Sequence, residues 1–134
     1  MSSEAEFKRD LVRQLIHEGG YARRLEDKYA IGTLDLLLLT NRYLIYAEAK
    51  LLKGVALPAR VQQREQIQLF NAVRNPHARA IIIALKEGML CFGLPGERYD
   101  AHYVTPWPVY KHPRPLTYHL DKAVAEIFKK QEAA

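Results

Sequence analysis

The chain holds a single cysteine, Cys91. No disulfide can form within it, and no cysteine-rich zinc site can be built. Cys91 sits in the apolar stretch MLCFG and reads as a small core residue. No apolar run approaches the roughly 18 residues needed to cross a bilayer. The first ten residues, MSSEAEFKRD, carry no apolar leader core. The expectation is a soluble cytoplasmic protein, without membrane partners, that a phage could encode and use in its host's cytoplasm. Internal repeats are also lacking. With 134 residues, 49% of them hydrophobic, one domain over 1–134 with its own core is expected. Charge is only mildly one-sided: 20 Lys and Arg stand against 15 Asp and Glu, with a pI near 9.4. That surplus suits an anionic partner such as nucleic acid without requiring one.

Ser3 followed by Glu6 has the spacing of a capping box, so a helix is expected from Glu4. Phe7, Leu11, Leu15 and Ile16 recur at helical spacing up to Gly19-Gly20. Residues 21–30 read as a short strand or loop. Leu34–Leu39 and Tyr43–Lys50, separated by Thr40-Asn41-Arg42, read as a hairpin. A second helix is predicted over Ala59–Arg74, ended by Asn75-Pro76. Ala78–Leu85 and Met89–Gly93 follow as strands about a Lys86-Glu87-Gly88 turn. Leu94–Tyr118 is rich in proline and aromatics, reads as irregular, and precedes a short helix over Leu120–Lys130. The order α-β-β-β-α-β-β plus a C-terminal helix implies an α/β or α+β fold with a mixed sheet. Its core is expected over about 3–93, with an extension over about 94–134.

The charges in YAEAK, residues 46–50, need an explanation at the end of so apolar a strand. Strand side chains alternate, so Glu48 and Lys50 share a face. In a hairpin, Asp35 lies on the neighbouring strand. Two carboxylates beside an ammonium suit a hydrated divalent cation such as Mg²⁺. On a helical wheel Phe7, Leu11 and Leu15 fall between about 340° and 60°, and Glu4 at about 40° faces inward with them. Glu6, at about 240°, faces out. In the second helix Leu69, Val73, Phe70 and Ile67 span about 60° to 220°, with Gln66 near the middle and Gln62 and Gln63 toward the flanks. A glutamine on an apolar face needs hydrogen-bond partners.

Gly32-x-x-Asp35, twelve residues, then Glu48-x-Lys50 resembles the core of the PD-(D/E)xK nucleases. Within that superfamily the chain is similar to the virus-type replication-repair (VRR-NUC) group and to phage and archaeal Holliday junction resolvases. Leu34 replaces the usual proline before the aspartate, and the helical glutamine can be Gln62, Gln63 or Gln66. The resemblance implies a restriction-endonuclease-like core and hydrolysis of phosphodiesters in branched DNA. Asp35, Glu48, the Ala49 carbonyl and Glu4 would hold Mg²⁺ or Mn²⁺. Lys50 would work on the attacking water and Gln66 would steady the site. It also implies a homodimer on four-way junctions. Arg23, Arg24, Lys28, Lys53, Arg60 and Arg64 are candidate contacts to the DNA backbone. The alternatives are a repair or restriction-type nuclease on flaps or ends, and a non-catalytic nucleic-acid-binding module. In the latter, Tyr103, Trp107 and Tyr110 would stack on bases rather than cover the sheet or a dimer interface.

Overall fold

In the computed structural model, residues 3–25, 34–108 and 114–129 are described. The Ser3 hydroxyl accepts a hydrogen bond from the Glu6 amide at 3.1 Å, and helix α1 (Glu4–His17) follows. Phe7, Leu11 and Leu15 form its buried stripe, while Ile16 lies off it and is exposed. Gly19 ends the helix at a φ of +87°, a left-handed conformation that glycine adopts without a Cβ clash.

Among the described residues six strands form one sheet: β1 (Tyr21–Arg24), β2 (Leu36–Leu39), β3 (Leu44–Leu51), β4 (Ala78–Lys86), β5 (Met89–Gly93) and β6 (Tyr103–Pro106). They lie side by side in chain order. Every neighbouring pair is antiparallel except β3 and β4. Parallel strands need a crossover, and here it is helix α2 (Val61–Ala72). The Asn71 side chain anchors that helix, pairing with both the amide and the carbonyl of Ala80 at 2.8 and 2.9 Å. This is the mixed α+β architecture, a central mixed sheet flanked by helices, that the sequence leads one to expect.

The sheet is buried on both faces, as its nearly unbroken apolar strands require. On one face Ile45, Ala47, Ala49, Ile81, Ile83, Leu90 and Phe92 pack against α1 and against helix α3 (Leu116–Ile127). On the other, Ala80, Ile82, Ala84 and Cys91 pack against Ile67 of α2 and against Leu57. Burial pushes the Cys91 thiol up to about 11, leaving it a core residue with little thiolate at neutral pH.

Two sequence expectations need correction. The stretch after Gly93 is no appendage. It contributes the edge strand β6 and, from Leu116 rather than Leu120, a helix whose Leu116, Leu120, Ala123 and Val124 are fully buried with Phe7 and Leu11. Prolines masked the strand, because Pro106 ends a four-residue edge, where a missing amide is tolerated. The start of α3 is capped from a distance: the Glu18 carboxylate accepts from the amides of Leu116 (2.7 Å) and Thr117 (2.9 Å). The second correction concerns α2. Leu69 and Val73 are exposed at 72% and 60%, so they do not belong to its inner face. Gln63 and Ile67 are its buried residues.

Candidate active site

The register of the β2–β3 hairpin decides where the acids meet. Leu36 pairs with Ala47. One step further along, Asp35 therefore lies across from Glu48. Along β3, Ala47 and Ala49 point into the α1/α3 side of the core, and Tyr46, Glu48 and Lys50 point the other way. Glu48 is only 2% exposed. Its partner in β4 is Ile82, and α2 covers it from above.

Gln63 in the first turn of α2 donates from Nε2 to Glu48 Oε1 at 2.8 Å. Lys50 Nζ lies 3.3 Å from the same oxygen and 3.3 Å from Glu4 Oε1. The Ala49 amide donates to Asp35 Oδ2 at 3.4 Å. Lys8, one turn along α1 from Glu4, sets its ammonium 2.9 Å from that Asp35 oxygen. Glu48 Oε2 is buried and finds no hydrogen-bond donor among the described residues. Burial first, and then the charge of Asp35, push the Glu48 carboxyl up to about 7 against the opposing pull of Lys50. Burial also works against the Lys50 ammonium, but the charges of Glu48 and Glu4 outweigh it and its pKa is raised.

Glu4, Asp35, Glu48 and Lys50 are thus brought together. The glutamine that reaches Glu48 is Gln63, and Gln66 is half-buried elsewhere on α2. The exposed Leu69 and Val73 had drawn the apolar face of the wheel toward Gln66. Recentred on Gln63, Ile67 and Phe70, the inner face spans about 160° to 220°. Lys8 was missed altogether. Its signal was its position four residues from Glu4, on the same side of the helix.

Of the basic residues, Arg23 and Arg24 are exposed on the edge strand β1, and Lys53 and Arg60 are exposed in the loop between β3 and α2. Arg64 lines a separate cavity of about 470 Å³ with Gln68, Leu94 and Phe128. Lys28, Gly32 and Tyr110 lie outside the described residues. Tyr103 is committed to the core: its ring packs on Phe92 and its hydroxyl lies 2.7 Å from His119 Nδ1. Trp107 packs edge-on against Phe7 at 6.0 Å. Both pack over the sheet, the arrangement set against base stacking for these residues.

Among the described residues no group of three or more His, Cys, Asp or Glu gathers closely enough to hold a metal ion. Glu4 is held on Lys50 rather than completing a three-acid cluster. A Mg²⁺ ion asks for less, since it binds through one or two carboxylates and keeps several waters. The Asp35–Glu48 pair, with the bare Glu48 Oε2 and a backbone carbonyl at Ala49, is a donor set of that kind.

Among solved structures, an archaeal Holliday junction resolvase, Archaeoglobus fulgidus Hjc, superposes with a TM-score of 0.56 at 22% identity. The alignment covers 90% of this chain and 98% of that one. The two chains share a fold. Coverage of 90% is more than residues 3–93 supply, so the likeness reaches beyond them. No family model matches the sequence, and no curated protein matches it. Among the described residues no helix is long and apolar enough to cross a membrane.

Proposed function

We propose that this chain is a metal-dependent endodeoxyribonuclease that hydrolyses phosphodiesters in branched DNA, with the four-way junction as its substrate. The observation that carries the reading is the cross-strand pair Asp35–Glu48, with Lys50 on the same strand and face, at the end of a sheet whose fold is that of a junction resolvase. Asp35, Glu48 and the Ala49 carbonyl would hold Mg²⁺ or Mn²⁺, with Glu4 acting through Lys50 or through water. A bound divalent cation would supply Lewis-acid stabilisation of charge building on a phosphoryl oxygen.

The remaining chemistry belongs to side chains. Lys50 donates hydrogen bonds toward the attacking water and the phosphorus centre, offsetting negative charge as it develops. Gln63 restrains Glu48 so that its other oxygen stays free. Water adds to phosphorus, one P–O ester bond breaks, and a phosphomonoester and a hydroxyl remain. Resolution needs two cuts on opposed strands, so the acting form is a homodimer. The DNA would be selected by its shape rather than by its base sequence.

A panel of four-way junction, flap and linear duplex at fixed salt with Mg²⁺ tests this reading. The junction should be cut fastest. Replacing Lys50 with alanine should abolish cleavage while junction binding persists. Unchanged cleavage by Lys50→Ala removes the site, and preference for flaps or ends replaces the resolvase with a repair-type nuclease.

A further inference from the structure

Lys8 is the charged group at this site that the nuclease reading leaves unexplained. Its ammonium makes a 2.9 Å ion pair with Asp35 Oδ2, and the two side chains are only 17% and 23% exposed. At that burial the pair is screened less than a surface salt bridge. The charges around it are already assigned. Lys50 serves Glu48 and Glu4, so among the described residues Lys8 is the cation paired with Asp35. Asp35 Oδ2 also accepts from the Ala49 amide, which leaves that oxygen little capacity for a further partner.

An ammonium and a divalent cation on one carboxylate repel each other, so a lysine 2.9 Å from Asp35 Oδ2 weakens that carboxylate as a metal ligand. Lys8 projects from a regular helix on a flexible four-carbon stem with three rotatable donors. It can leave Asp35 without any backbone movement. Once released, it is a mobile positive charge beside the position a phosphodiester must occupy.

Resting on that nuclease reading, we propose that Lys8 is an exchangeable counter-ion. It occupies Asp35 in the metal-free protein, yields the carboxylate when a divalent cation is bound, and turns its charge to the DNA phosphate. Metal and DNA then bind cooperatively, and reciprocity requires each to tighten the other by the same factor. Lys8 is a positioning residue, since in the free protein it acts through Asp35.

Calorimetric titration of Mn²⁺ into the full chain, without DNA, tests the first half. Lys8→Met should bind Mn²⁺ more tightly than the wild type, by roughly tenfold. Junction affinity measured in Ca²⁺ and in EDTA tests the second half. The gain that Ca²⁺ brings to the wild type should shrink in Lys8→Met and return in Lys8→Arg. If Lys8→Met does not fold, Lys8→Gln carries the same expectations. Mn²⁺ affinity that is unchanged or weaker, or an undiminished gain in Ca²⁺, overturns the counter-ion role. A wild type that cleaves and binds Mn²⁺ while the variants match it overturns this inference alone. A wild type that binds no Mn²⁺ overturns the metal-dependent reading together with it.

Discussion

The two faces of β3 are built from the same eight residues and do opposite things. Ile45, Ala47 and Ala49 are fully buried among apolar side chains of α1, α3 and β4. Tyr46, Glu48 and Lys50, interleaved with them, face α2 and the strand end. On the first face every contact lowers the free energy of folding. On the second, a carboxylate is 2% exposed with one oxygen that meets no donor among the described residues, an arrangement that opposes stability unless something binds. Alternation at a period of two lets one strand anchor the core and carry the chemistry at once.

The sharpest contrast should come from Glu48→Gln. Cleavage should fall by about a thousandfold, the scale of losing a central electrostatic group, while circular dichroism and the unfolding transition show an intact fold. On the opposite face, Ile45→Ala should cost about 2–5 kcal/mol in denaturant unfolding, the cost of a buried cavity. Cleavage per folded molecule should stay near that of the wild type. If Glu48→Gln instead unfolds the chain, or Ile45→Ala loses activity while remaining folded, the division between the faces is wrong.

A smaller effect follows from pH. The Glu48 carboxyl ionises near pH 4.5 when unfolded and near 7 when folded, chiefly because of burial. Between those values the folded chain binds more protons, so its stability declines as pH rises. In EDTA the loss between pH 4.5 and 7.5 should reach up to about 3 kcal/mol. Glu48→Gln should flatten that slope, and a slope that survives the substitution assigns it to another group.

The last contrast lies within α2. Gln63→Ala removes the one neutral donor to Glu48 among the described residues and should cost about 1–2 kcal/mol as well as activity. Gln66→Ala should leave stability within about 0.5 kcal/mol of wild type. Equal effects at the two positions would return the glutamine assignment to where the sequence left it.

The legibility of the molecule follows its local physics. Ser3 and Glu6, the Phe7–Leu11–Leu15 stripe, and the alternation through Glu48 and Lys50 are short-range patterns, and each survives in the fold as written. The face of α2 was misjudged because Leu69 and Val73 are apolar yet exposed, and only packing against β4 shows which side turns inward. Strand β6 and the buried role of α3 were hidden for the same reason: Tyr103–Pro106 pairs with β5 across an intervening loop, and the cap of α3 comes from Glu18, about a hundred residues earlier.

By itself, then, the sequence determined the elements up to Gly93 apart from β1, which it left open as strand or loop, together with the strand that bears the charges and the facing of Glu48 and Lys50, because helical and strand periods are set by neighbours a few residues apart. Tertiary structure alone decided that Gln63 reaches Glu48, that Lys8 sits on Asp35, and that the C-terminal segment closes the core. Those contacts depend on register and packing between distant segments, and no local period encodes them.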